Sequence, residues 1–241
     1  MSKLSPLPTA HSDIQEIFED VFWVQGSLIM APGFQISRNM IIVREGDELT
    51  LISSVRLNEA GLKALEALGK VKNVIKLGAY HLGAHNGIDD GFYVNQYNAK
   101  LWALPHMTHG PDLHSDHLLT EGGELPFSAA SLIQYETSSM PEAMILLERD
   151  AGILITADSL QNWAQADEYF SEVAAEKMQS LGFIKPANVG PEWRRVCEPK
   201  ASDFVKVLQL RFKHLMPSHG TPILNTAKQQ YASTFKALFN I

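Results

Sequence analysis

The chain has 241 residues, of which 45% are hydrophobic and 20% are charged, a composition typical of a globular protein with a sizeable core. Its 20 basic and 27 acidic residues give a net charge of −7, which argues against a binder of nucleic acid or of anionic membrane surfaces. A single cysteine, Cys197, excludes an internal disulfide and a zinc site built from cysteines.

The first half of the chain predicts consecutive strands joined by turns, because clusters of β-branched and aromatic residues alternate with Gly, Pro and Asp. The predicted elements are strands at 21–30, 36–45 and 49–55, a helix at 59–69 with Asn58 as its N-cap, and a strand at 71–79. Residues 81–91 predict a loop, and the sequence then returns to a helix or turn and a further strand.

The second half begins with a loop at 105–126 that is rich in His, Gly and Pro. The predicted elements after it are strands at 131–137, 143–149 and 152–159, a helical stretch at 162–181, a mobile segment at 185–200, an amphipathic helix at 203–214, and a last helix from Thr226. Two runs of strands, each followed by helices, indicate two sheets flanked by helices, in one domain that spans residues 1–241.

Candidate functional residues lie at three predicted junctions between strands and loops, where scaffolds commonly present reactive groups. They are His81, His85, Asp89 and Asp90 in the first junction, Asp158 after the strand ILIT in the second, and His219 in the segment MPSHGTP in the third. A carboxylate at the end of an apolar strand is costly unless it is paired, capped or metal-bound. Structural roles are the alternative for each: a helix cap for Asp158, a hydrogen-bonded turn for His219, and solvated turn residues for the acids.

The order of these segments, with ILITADSL and MPSHGTPI as the strongest local matches, resembles the metallo-β-lactamase superfamily from about residue 21 to residue 219. That resemblance implies an α/β (α+β) fold, a four-layer αββα sandwich. Members of the superfamily carry His-x-His-x-Asp-His, a middle His, a bridging Asp and a final His. Here the first motif becomes His85-Asn-Gly87-Ile-Asp89-Asp90, and Ser139 stands where the middle His is expected. A second register that starts at His81 stays open.

The resemblance implies a metal-dependent hydrolase of an ester, thioester, lactone or phosphoester, in an uncharacterised branch with an incomplete ligand set. The expected ligands of one divalent ion are Asp89, Asp90, Asp158 and His219, with His85 the survivor of the other half of the site. Asp158 or Asp89 would position the attacking water. This oxygen-rich set favours manganese or iron and still permits zinc. The alternative is a non-catalytic member that keeps the pocket for binding or assembly and binds no metal.

The histidines of the segment 106–117 are a further source of metal ligands, although an exposed loop without such a role is the alternative. We expect a small-molecule substrate, no nucleic acid and no membrane partner. RNA-processing relatives are disfavoured by the net charge of −7. The absence of an apolar run near the start of the sequence leads us to expect a cytoplasmic protein. The oligomeric state is left open, a homo-oligomer included.

Overall fold

The computed structural model describes residues 9–79, 87–110 and 112–241. Within these residues, strands from the first half of the chain form a seven-stranded sheet whose spatial order follows the chain. The strands are β1 (Gln15–Phe18), β2 (Val21–Ala31), β3 (Phe34–Glu45), β4 (Glu48–Ile52), β5 (Lys70–Lys76), β6 (Lys100–Ala103) and β7 (His117–Leu118). Strands β1 to β4 are antiparallel neighbours joined by short turns. Strand β5 runs parallel to β4, β6 to β5 and β7 to β6.

Strands from the second half form a four-stranded sheet within the described residues. Its members, in spatial order, are β13 (His214–Pro217), β10 (Ile153–Thr156), β9 (Ala143–Leu147) and β8 (Ala130–Gln134). Strands β8, β9 and β10 form an antiparallel meander, whereas β13 joins β10 in parallel. A separate antiparallel ribbon pairs β11 (Leu160–Trp163) with β12 (Lys185–Val189).

The helices cover the outer faces of the two sheets. They are α1 (Glu59–Leu68), α2 (Gly87–Tyr97), α3 (Glu172–Ser180), α4 (Pro191–Cys197), α5 (Ala201–Gln209) and α6 (Ala227–Phe239). Leu65 of α1 and Tyr93 of α2 pack on the first sheet, while Phe204 of α5 and Phe235 of α6 pack on the second. A third apolar cluster fills the space between the sheets. The predicted αββα sandwich is therefore confirmed. Among the described helices, none has the length and apolar character to span a membrane.

Local signals in the first half of the chain predicted its elements well. Asn58 caps α1 as expected, since its side chain accepts a hydrogen bond from the backbone N–H of Gly61. The predicted loop at 81–91 was wrong in its last part, because α2 starts at Gly87. Residues 81–86 lie outside the described part of the chain.

Two predictions in the second half were wrong. The stretch 162–181 is not one helix, because Leu160–Trp163 is a fully buried strand and α3 begins only after its N-cap, Ser171. The segment 185–200 is ordered: Lys185–Val189 forms the partner strand, and Pro191 starts α4 at a position where its missing N–H is not needed. In both places long-range pairing decided the structure.

Asn39 of β3 connects the two sheets. Its side-chain amide donates hydrogen bonds to the carbonyl oxygens of Pro217 (2.8 Å) and Gly220 (2.5 Å), and its backbone N–H donates to the carbonyl of Ser218 (2.8 Å). These carbonyls belong to the end of β13 and to the loop that follows it. Because the side chain of Asn39 is fully buried, the loop is held by bonds that water does not replace.

Replacing Asn39 with alanine should therefore lower the free energy of unfolding by about 2–4 kcal/mol, because two buried carbonyl groups lose their donor. Urea denaturation measures the change. The matched control is Gln229→Ala on the exposed side of α6, which should change stability by less than about 0.5 kcal/mol. Equal stability of the two variants would contradict this role of Asn39.

Candidate functional site

Asp158 and His219 lie together because their strands run in parallel. In the β10–β13 pairing Thr156 faces Pro217, so both strands end at the same edge of the sheet. Asp158 and His219 each follow two residues later, and both are buried. The distance between Asp158 Oδ1 and His219 Nε2 is 3.2 Å. Two groups 61 positions apart in the sequence thus form one buried polar centre.

The surroundings of His219 orient its ring. The Nδ1 atom lies 3.3 Å from the carbonyl oxygen of Ser37, and the ring packs against Trp163 with 4.7 Å between centroids. A metal-bound histidine usually donates its other ring N–H to a carbonyl or carboxylate in this way. With Nδ1 as the donor, Nε2 carries a lone pair and faces Asp158.

The 3.2 Å separation of Asp158 Oδ1 and His219 Nε2 fits two ligands of one ion. Two donor atoms that bind the same tetrahedral ion at about 2.0–2.1 Å lie about 3.3–3.4 Å from each other. The same distance also fits a direct hydrogen bond between the two side chains. The distance therefore fits an ion bound by both side chains, and it also fits a proton shared between them. Experiment can distinguish the two cases.

Gly220 makes the position of His219 attainable. Its φ is +87°, and a Cβ atom there would lie 2.0 Å from the carbonyl oxygen of Asn162. The backbone N–H of Asn162 in turn donates to the carbonyl of His219 at 2.9 Å. Only glycine allows the loop after β13 to approach β11 this closely.

Asp89 and Asp90 lie in the first turn of α2, and each has a protein partner. Asp89 forms a buried ion pair with Arg38 and accepts the backbone N–H of Arg56 at 3.0 Å. Asp90 accepts a hydrogen bond from the hydroxyl of Ser54 at 2.5 Å. Burial raises the pKa of Asp90 to about 6, although the Ser54 hydrogen bond opposes the shift. The two acids are thus integrated into the fold, and their predicted role as ligands stays a prediction.

The two halves of the site are adjacent at the end of β4. Ser53 and Ser54 follow this strand, and the Ser53 hydroxyl lies 2.7 Å from that of Ser218, next to His219. Ser54 binds Asp90 on the other side. Across residues 9–79, 87–110 and 112–241, however, no group of three or more His, Cys, Asp or Glu side chains is placed to hold a metal ion. Of the predicted ligands in the described residues, Asp158 and His219 are the two whose side chains contact each other directly.

The remaining predicted residues are spread over two segments. His81 and His85, and with them the choice of register, lie outside the described residues. In the segment 106–117, His109 contacts the Ser115 hydroxyl at 2.8 Å and His117 stacks on Trp102 at 4.0 Å between centroids. Both contacts are typical of structural side chains.

Sequence reasoning missed Glu142, which is 1% exposed. Its Oε1 accepts the backbone N–H of Ser159 at 2.7 Å, directly after Asp158, whereas its Oε2 has no hydrogen-bond partner among the described residues. Burial, and secondly the charge of Asp158, raises the pKa of Glu142 well above its usual range. The signal in the sequence was an acid between Pro141 and a fully apolar strand, a position that requires a partner or a proton.

A surface groove leads to Glu142. It has a volume of about 310 Å³, and its polar lining includes His106, Thr120, Gln134, Ser138, Ser139 and Glu142. Ser139, the residue in the expected place of a middle His, is thus on the wall of this groove. Glu142 connects this groove to the segment that carries Asp158, because it accepts the backbone N–H of Ser159.

In the metal-free protein, the free energy of unfolding should fall as the pH rises from about 4 to about 6, because Asp90 loses its proton in this range. The folded state holds a proton at a pKa of about 6, whereas the unfolded chain releases it near 3.8, so the free energy of unfolding falls as pH rises through this window. The full difference corresponds to about 3 kcal/mol. Asp90→Asn does not titrate and should remove this part of the slope.

Urea denaturation of both proteins in EDTA, from pH 4 to pH 7, measures the effect. Parallel pH profiles for the wild type and Asp90→Asn would contradict the assignment of the raised pKa to Asp90.

Comparisons with known proteins bear on the fold. No protein-family model matches the chain, and no curated protein matches it. Among solved structures, the chain is similar to a metallo-β-lactamase from Hirschia baltica, with 16% identity, a TM-score of 0.57 and coverage of 95% of this chain and 98% of that chain.

Two further structures give the same result. A metallo-β-lactamase from Pseudomonas aeruginosa, in its mono-zinc form, has 11% identity, a TM-score of 0.60 and 97% coverage of each chain. One from Erythrobacter litoralis has 13% identity, a TM-score of 0.59 and coverage of 93% of this chain and 92% of that chain. The low identities fit a divergent sequence. The chain therefore has the metallo-β-lactamase fold, as the resemblance of its sequence implied.

Proposed function

We propose that this chain is a hydrolase with a single divalent ion, held by Asp158 and His219, that acts on an ester, thioester, lactone or phosphoester. The observation that carries the proposal is the 3.2 Å separation of Asp158 Oδ1 and His219 Nε2 at the shared end of two parallel strands. His85, which the sequence resemblance suggests as a further ligand, is the proposed source of a third donor.

The second argument for one ion is the state of the neighbouring acids. Asp89 is already neutralised by Arg38, so it has less affinity for a second cation than a free carboxylate. The similar protein from Pseudomonas aeruginosa was solved in a mono-zinc form, so this fold accommodates a single ion. An ion bound here would supply a water of lowered pKa and polarise the bond to be cleaved.

The side chains around the centre have separate tasks in this proposal. Asp158 presents its carboxylate to the attacking water and aligns it, while the carbonyl of Ser37 keeps the His219 ring in one orientation. The groove beside Glu142 binds the substrate. Glu142, whose pKa is raised chiefly by burial, lies on the wall of this groove. The predicted role of Asp89 in positioning water stays a prediction.

Metal content is the direct test. Wild-type protein dialysed against manganese, iron or zinc should retain about one ion per chain in native mass spectrometry. Asp158→Asn and His219→Gln should each lower the affinity for that ion by at least about 100-fold, because each removes a ligand. Hydrolysis of a panel of the four ester classes should require the ion and should be lost in both variants.

Asp47→Asn is the matched control, since Asp47 forms only a surface ion pair with Lys70. It should keep the ion and the activity of the wild type. The proposal fails if the wild-type protein binds no ion, or if Asp158→Asn folds and retains it with unchanged affinity.

A non-catalytic binding protein is the second candidate. Two observations favour it: Ser139 stands where a histidine ligand is expected, and Arg38 occupies one carboxylate of the site. This candidate predicts a small molecule bound in the groove of the wild type without turnover. Metal-dependent turnover that disappears in Asp158→Asn would exclude it.

A further inference from the structure

Arg38 is a buried cation in the middle of β3. It is 4% exposed, and its Nη2 atom pairs with Asp89 in the first turn of α2. Side chains of a strand alternate between its faces. Ser37 and Asn39 accordingly face the other way, where Asn39 binds the loop that carries His219. One strand segment thus contributes to both halves of the site.

The Arg38–Asp89 pair is poorly explained by stability alone. The Nε and Nη1 atoms of Arg38 have no acceptor among the described residues, although both are buried. A buried ion pair with unsatisfied donors is often no more stabilising than two apolar side chains of the same size. The charge of Arg38 therefore suggests an electrostatic role.

The charges near Asp89 define that role. Asp89 and Asp90 are adjacent buried carboxylates, and Arg38 and Lys76 are the buried cations near Asp90 in the described part of the chain. The Nζ atom of Lys76 donates to the carbonyl of Thr108 at 2.9 Å. Arg38 is the cation that touches an acid directly, through Asp89 Oδ2, and the backbone N–H of Arg56 approaches the same oxygen.

We propose that Arg38 is a resident cation that occupies Asp89 and thereby keeps a second divalent ion away from Asp89 and Asp90. Asp89 Oδ2 accepts hydrogen bonds from Arg38 and from the backbone N–H of Arg56, so its two lone pairs are already used, and the guanidinium repels a second cation. Arg38 thus limits ion binding to the centre at Asp158 and His219. The inference rests on the proposed function only for the statement that an ion binds at Asp158 and His219.

Charge removal at Arg38 is the test, with manganese or zinc as the probe and native mass spectrometry as the readout. Arg38→Met replaces the cation with an unbranched apolar side chain, and it should bind one more ion per chain than the wild type. Arg38→Lys keeps the cation and should bind as many ions as the wild type. Arg56→Met is the matched control, because the Arg56 guanidinium stacks on Phe92 at 3.5 Å and does not pair with Asp89; its ion count should not change.

A further variant keeps the inference testable if Arg38→Met does not fold. Asp89→Asn in the wild-type background should leave the ion count unchanged, since Asp89 binds Arg38 and not the ion. In a folded Arg38→Met protein, a second substitution, Asp89→Asn, should abolish the additional ion.

The outcomes separate this inference from the proposed function. No ion in the wild type but one in Arg38→Met would overturn the proposed function and support the role of Arg38. One ion in both proteins would support the proposed function and overturn the role of Arg38. Two ions in the wild type, or loss of its single ion in Asp89→Asn, would also overturn the inference.

Discussion

The contact between β3 and the loop 217–220 is the interaction on which the site depends. Through Asn39, the first sheet binds the carbonyls of Pro217, Ser218 and Gly220 at the end of β13 and in the loop that follows it. The carbonyl of Ser37 then faces the ring of His219. Without this contact the two sheets would still pack through their apolar faces, but the imidazole would have no fixed relation to Asp158. The precision of the site therefore comes from a few buried hydrogen bonds and not from the core.

Charge balance is the second constraint on this region. The described site buries Asp89, Asp90, Asp158 and Glu142, and buried carboxylates are stable only when they are paired, protonated or bound to a cation. The chain uses several of these solutions side by side. Arg38 pairs with Asp89, burial favours the protonated forms of Asp90 and Glu142, and Asp158 faces His219. Because the neighbouring carboxyl groups differ in pairing and in pKa, they can have different chemical roles.

Local signals explain which parts of the fold were predictable from the sequence. Turns rich in Gly and Asp and the cap at Asn58 act over a few residues, so the opening strands and α1 could be recognised. The start of α2 could not, because Gly-Ile-Asp-Asp-Gly is equally typical of a turn. Strand β11 was missed because Leu160–Trp163 contains Gln and Asn, whose burial depends on pairing with β12, about 25 residues later.

The same distinction applies to the site. The proximity of Asp158 and His219 could be anticipated, since two strand ends at one sheet edge bring their following residues together. The partners of Asp89 and Glu142 could not, because they are set by tertiary contacts with Arg38 and Ser159. A charged residue inside a buried strand, as at Arg38, was nevertheless a usable signal that a partner had to exist.

Anomalous diffraction from crystals soaked in manganese or zinc tests the central claim most directly. The account predicts one anomalous peak per chain, about 2.0–2.2 Å from both Asp158 Oδ1 and His219 Nε2. A saturating soak that leaves this position empty, with the carboxylate and the imidazole in direct hydrogen-bond contact, would contradict it.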